Sequence, residues 1–105
     1  MFNVIGTATY LEEISTLSKD YQEVAEKLPE KLAVNPFQGD PLGYPFLREK
    51  RIREKRIYYL IYEDLKLVLL VAVSSKKDQQ TTIDHLKNGL DEFRKIAEEV
   101  AKQVS

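Results

Sequence analysis

Seven apolar residues in a row, Leu67-Val68-Leu69-Leu70-Val71-Ala72-Val73, constrain this chain more than any other segment. A strand with one wet face alternates apolar and polar side chains. This run does not alternate, so it reads as a strand covered on both faces and central in its sheet. It is far shorter than the roughly 20 apolar residues a bilayer span requires. Nothing at the N-terminus has the basic region, apolar core and small-residue cleavage site of a signal peptide. The expectation is a soluble, cytoplasmic protein.

The segments around this run define its partners. Phe46 to Ile52 and Lys55 to Glu63 are strand-like and lead into Lys66 to Ser74 through turns of two to four residues, the spacing of an antiparallel meander. Phe2 to Ala8 is short and β-branched and reads as a first strand. Thr9-Tyr10-Leu11-Glu12 has the form of a capping box, so a helix is expected to begin there. Leu11, Ile14, Leu17, Tyr21, Val24 and Leu28 then recur at spacings of three and four, one stripe of a helix. Pro29 is expected to bend that helix or to start a second short one. Asn35 to Pro45, with three of the four prolines, reads as a loop. From Thr82, Ile83, Leu86, Leu90, Phe93, Ile96, Val100 and Val104 predict one helix of about 23 residues. Its stripe can cover the sheet, pair with a second copy of the chain as a homodimer, or await another partner. The order is strand, one or two helices, three strands, helix. This is an α+β domain spanning residues 1–105, with an antiparallel meander sheet, helices packed on one face and a long C-terminal helix.

Composition narrows the chemistry. The 105 residues include no cysteine and one histidine, which excludes thiolate zinc sites, iron–sulfur clusters, thiol nucleophiles and multi-histidine metal centres. No metal or cofactor is expected. The net charge of −1 conceals a segregation: six acids and three bases between Leu11 and Lys31, against six bases and two acids between Arg48 and Arg56. Such segregation points to an anion-binding face, or to a solvated basic hairpin.

If the turn is a two-residue loop at Arg53-Glu54, Ile52 lies opposite Lys55, Arg51 opposite Arg56, and Glu49 opposite Tyr58. Glu49, Arg51, Arg56 and Tyr58 then share a surface. A turn one residue different replaces Glu49 and Arg51 by Arg48 and Lys50. Either set places cations beside phenols, which suits a polynucleotide: the cations hold phosphates and the rings stack on bases. Its alternative is a cross-strand ion pair with the tyrosines partly in the core. Two facing arginines repel unless an anion joins them, which singles out Arg56. Lys76 and Lys77 follow the apolar strand directly, where they can hold a phosphate or simply be solvated. His85, expected at the start of the last helix, is a candidate for proton transfer, and Asp40 is a candidate carboxylate at a loop rim.

Asn35-Pro36, Leu42-Gly43-Tyr44, Leu47-Arg48-Glu49-Lys50-Arg51-Ile52, Lys55-Arg56-Ile57-Tyr58-Tyr59 and Lys76-Lys77-Asp78-Gln79 together resemble the RelE/ParE toxin superfamily, with the HigB-like, phage-derived branch most similar. The resemblance covers about residues 10 to 85. It implies a strand-helix-helix-strand-strand-strand fold, a toxin neutralised by a cognate antitoxin, and, in the ribonuclease members, metal-independent cleavage of messenger RNA on the ribosome. It implies that Arg56 stabilises the phosphorane, that Arg48, Lys50 and Arg51 form the basic strand, and that Lys76 or Lys77 is the basic residue after the last strand. Arginine stays protonated and cannot be the general base. Glu49, Asp40 or His85 must move the protons. The alternatives are a ParE-like inhibitor of DNA gyrase and a non-catalytic relative acting through protein contacts.

Overall fold

The computed structural model describes residues 1–104. Its centre is a five-stranded sheet in the order β1-β5-β4-β3-β2, comprising β1 (Asn3–Gly6), β2 (Asp40–Pro41), β3 (Leu47–Ile52), β4 (Lys55–Tyr62) and β5 (Leu67–Ser75). β2 to β5 pair antiparallel, and β1 adds to the far side of β5 in parallel. The seven-residue apolar run is therefore an inner strand. Two-residue β2 lies inside the segment expected to be loop, pairing Asp40 with Glu49.

Both faces of the sheet are covered. Helices α1 (Ala8–Ser15) and α2 (Lys19–Val34) take one, burying Tyr10, Ala25, Leu28 and Leu32 against Ile57, Tyr59, Ile61, Val68 and Leu70. Helices α3 (Gln79–Asn88) and α4 (Leu90–Val104) take the other, burying Ile83, Leu86 and Ala97 against Leu47, Tyr58, Leu60, Leu67 and Leu69. The expectation of helices on one face thus holds for the first pair only. An all-apolar central strand in water needs the second layer. The C-terminal stripe packs in part on the sheet, with Ala97 buried and Ile96 and Val104 exposed.

Helix ends differ from expectation for local reasons. Thr7, not Thr9, caps α1, its hydroxyl accepting from the Tyr10 amide at 3.2 Å. The stripe expected as one helix from Leu11 to Leu28 breaks at residues 16–18. There Ser15 and Thr16 hydroxyls take the carbonyls of Glu12 and Glu13 at 2.6 and 2.7 Å, competing with continuation of the helix. Pro29 neither starts nor ends an element, because α2 runs through it. The proline costs a helix interior about 3 kcal/mol. Burial of flanking Leu28 and Leu32 is worth about 2 to 3 kcal/mol each, which outweighs it. The long C-terminal helix is two helices, divided at Gly89, whose amide donates to the carbonyls of His85 and Leu86.

The β3–β4 hairpin turns through two residues, Arg53 and Glu54, with Arg53 in the left-handed region at φ 54°. This yields the register with Arg51 opposite Arg56 and Glu49 opposite Tyr58. Between β4 and β5 the register slips: Tyr58 faces Ala72 but Tyr59 faces Leu70, leaving Val71 as an extra residue. The bulge turns both Val71 and Ala72 toward the α3–α4 core. Strict alternation from Leu67 would send Ser74 to the opposite face. The bulge instead brings it under Tyr58.

Candidate functional site

At the hairpin end of the sheet, on the α3–α4 face, four polar side chains lie within an otherwise apolar layer. Glu49, Arg56 and Ser74 are buried, at 4%, 4% and 7% exposure, beside fully buried Tyr58. Tyr58 and Ser74 hydroxyls lie 2.7 Å apart. Ser74 donates its own hydrogen to the Ser75 carbonyl at 2.9 Å, so Tyr58 is the donor between them. Burial pushes the Tyr58 phenol above its ordinary pKa. The Ser74 hydrogen bond opposes this, Glu49 adds to it, and Arg56 opposes it. The ring stays a neutral strut under the site.

Arg56 and Glu49 are the informative pair. Arg56 Nε lies 3.9 Å from Glu49 Oε2, beyond hydrogen-bonding distance. Neither Nε nor Nη1 of Arg56 finds a partner within the described residues. Buried charged donors left unmatched cost several kcal/mol as a rule. Glu49 is not unmatched: the Gln79 side-chain amide, at the start of α3, donates to both of its oxygens, at 2.9 and 3.1 Å.

Above Arg56 opens a cavity of about 510 Å³ lined by Arg51, Arg53, Glu54, Arg56, Ser75, Lys76 and Lys77. Five cations line it from the hairpin and the strand end of β5, Arg53 also lying 3.7 Å from Asp20 of α2, with Glu54 the only acid in the lining. Such a site attracts a polyanion.

The expected site residues divide accordingly. Arg51, Arg56, Lys76 and Lys77 line the cavity, with Glu49 and Tyr58 packed beneath. Arg48 and Lys50 do not join them, because the observed register turns them to the other face. Arg48 is spent on structure: it donates to the carbonyls of Pro45, Phe37 and Gly39 at 2.8 to 3.0 Å and stacks on the Phe37 ring. Lys50 reaches Gln38 at 3.4 Å. His85 lies in the last turn of α3, not at a helix start, and lines a separate cavity with Thr7, Glu13 and Phe93. Asp40 is exposed on β2 and outside the basic cavity. Gln79 and Ser74 were not singled out for chemistry. The only signal for Gln79 was its place after Lys76-Lys77-Asp78, and Ser74 depends on the bulge.

A second groove, about 490 Å³, lies by Phe37, Phe46, Tyr62 and Leu90. Its one cation, Arg94, is already paired with Asp64 at 2.6 and 3.0 Å, so it lacks free charge. No described helix is long and apolar enough to cross a membrane.

No family model and no curated protein matches the sequence. Solved structures do. The isolated E. coli RelE toxin superposes with a TM-score of 0.64 at 15% identity, over 84% of this chain and 98% of that one. The toxin in the E. coli RelBE toxin–antitoxin complex gives 0.63 at 16% identity, over 71% of this chain and 96% of that one. The toxin–antitoxin complex RelBE2 from Mycobacterium tuberculosis gives 0.63 at 19%, over 71% and 98%. At these identities the likeness is one of architecture, and on it this chain has the RelE fold.

Proposed function

We propose that this chain is the toxin of a toxin–antitoxin pair and cleaves messenger RNA on the ribosome, with Arg56 holding the scissile phosphate. The observation that carries the reading is the Arg56 guanidinium, not hydrogen-bonded to its neighbour Glu49, lining one cavity with four further cations. The RelE fold supports the same reading, since similar structures include toxins in complex with antitoxins. The cognate partner here is accordingly an antitoxin protein.

The chemistry follows from the groups available. The ribose 2′-oxygen attacks the adjacent phosphorus and the P–O5′ bond breaks, leaving a 2′,3′-cyclic phosphate and a 5′-hydroxyl. Of Glu49, Asp40 and His85, Glu49 is the one beside Arg56, and it takes the proton from the 2′-hydroxyl. An ammonium at the rim, Lys76 or Lys77, returns a proton to O5′. Arg56 and Arg51 neutralise the charge that builds on the non-bridging oxygens, the step at which fixed donors matter most.

The test is induction of the protein in cells with mapping of messenger RNA ends, and incubation of purified protein with ribosomes and RNA. Wild type is expected to arrest growth and to leave 5′-hydroxyl ends, and Arg56→Ala to lower cleavage by roughly 100-fold, the scale of losing one oxyanion donor. Cleavage and arrest unchanged in Arg56→Ala overturn the proposal. Arrest with intact messenger RNA and poisoned DNA gyrase would transfer the activity to the ParE-like alternative.

A further inference from the structure

An arginine and a glutamate buried side by side ordinarily close to a charge-assisted pair at about 2.7 to 2.9 Å. Here the gap between Arg56 Nε and Glu49 Oε2 is 3.9 Å, and the same carboxylate is held through both oxygens by the Gln79 amide. The amide sits on a rigid mount. Gln79 opens α3, whose Ile83 and Leu86 are locked into the core and whose first turn is tied back by Thr82 to the Asp78 carbonyl at 2.9 Å. A neutral donor attached to a fixed helix thus occupies the oxygens that the buried guanidinium would otherwise take.

We infer that Gln79 is a positioning residue: it holds the Glu49 carboxylate off Arg56, so that the guanidinium charge stays uncompensated for an anion in the cavity that Arg56 lines. The inference rests on the reading of Arg56 as the phosphate-holding group. Without the amide, Glu49 closes on Arg56 and the anion must compete with an intramolecular carboxylate.

The experiment measures binding of a fluorescent 2′-O-methyl oligoribonucleotide, which has no 2′-hydroxyl and cannot be cleaved, at fixed salt. Gln79→Met keeps the side-chain length without the donor, and is expected to weaken binding about tenfold, the scale of one charge-assisted hydrogen bond. Gln79→Asn, which withdraws the amide by one methylene, is expected to do the same. The deciding arm is Glu49→Gln placed in the Gln79→Met protein. With no carboxylate left to close on Arg56, binding returns to the wild-type level or above. A role of Gln79 in merely seating α3 would leave the double variant as weak as the single. Binding by Gln79→Met equal to wild type, or a loss not rescued by Glu49→Gln, overturns the inference while leaving RNA cleavage by wild type standing. The rescue pattern in a protein that does not cleave RNA overturns the nuclease reading and leaves the positioning role standing. Wild-type binding no stronger than that of Arg56→Ala overturns both.

Discussion

Arg56 and Glu49 lie on adjacent strands, both buried, 3.9 Å apart at their closest charged atoms and joined by no hydrogen bond. An arrangement of this kind is expensive in stability and is understandable as the cost of an anion site. Replacing both charges with neutral groups of similar volume, Glu49→Gln with Arg56→Met, is therefore expected to stabilise the fold by about 1 to 4 kcal/mol while abolishing anion binding. Arg56→Met alone leaves the carboxylate buried with only Gln79 and should destabilise. Denaturant titration of both variants checks this. A double variant less stable than wild type would show that the pair contributes net stability.

Salt dependence separates the cations of the cavity from those outside it. Each phosphate neutralised on a single strand contributes about −0.7 to the slope of log affinity against log salt. Replacing Lys76 and Lys77 with alanine is expected to flatten that slope by about 1.4. Lys50→Ala should leave it unchanged. Arg48→Ala should also leave the slope unchanged yet lower the melting temperature, because Arg48 ties Phe37, Gly39 and Pro45 to β3. A slope that responds to Arg48 and not to Lys76 and Lys77 would move the contact surface to the opposite face.

Gly39 has no room for a side chain. A Cβ there would lie 2.5 Å from the Glu49 carbonyl oxygen and 2.6 Å from the Tyr59 hydroxyl. That hydroxyl accepts from the Gly39 amide at 3.0 Å and donates to the Pro36 carbonyl at 2.7 Å, fastening the loop to β4. Gly39→Ala is expected to cost about 1 to 3 kcal/mol, as overpacking does, and to be read as a lower denaturant midpoint. A neutral result would mean the loop moves aside freely.

Two tyrosines predict the alkaline limit. Burial pushes the phenols of Tyr10 and Tyr62 up to about 12, with Arg94 partly opposing the shift at Tyr62. Unfolded tyrosine titrates near 10. The folded pKa is the higher one, so this stability is fully present below pH 10 and is lost as pH rises from about 10 to 12, on the order of 2 kcal/mol for each ring. The Tyr10 hydroxyl also has no partner in its buried site. Tyr10→Phe should thus gain about 1 kcal/mol at neutral pH and soften the alkaline loss. Melting temperatures followed across pH 9 to 12 test both statements, and a flat profile in wild type would contradict them.

Much of the fold was legible because its signals are local. Strand positions followed from β-branched runs and short turns. Hairpin register followed once the turn was taken as two residues, because side chains alternate strictly from a fixed turn. The helix divisions were less legible. The apolar spacing of Leu11 to Leu28 and of Ile83 to Val104 continues across the breaks, and the hydroxyls of Ser15 and Thr16 and the freedom of Gly89 interrupt the backbone without disturbing that spacing. His85 was misplaced for the same reason: α3 begins at Gln79, which carries the histidine into the helix's last turn.

The sequence by itself determined that a central strand of unbroken apolar residues needs cover on both faces and that a basic hairpin precedes it, and it narrowed the hairpin to two registers, of which the structure has the one with Arg51 opposite Arg56. These follow from local chemistry and the two-residue period of a strand. Only the tertiary structure decided which cations remain available. It tied Arg48 to loop carbonyls, bulged β5 at Val71 so that Ser74 supports Tyr58, and seated α3 so that Gln79 meets Glu49. Each depends on atoms distant in sequence coming together, and no periodicity encodes how a guanidinium or a carboxylate is divided among such partners.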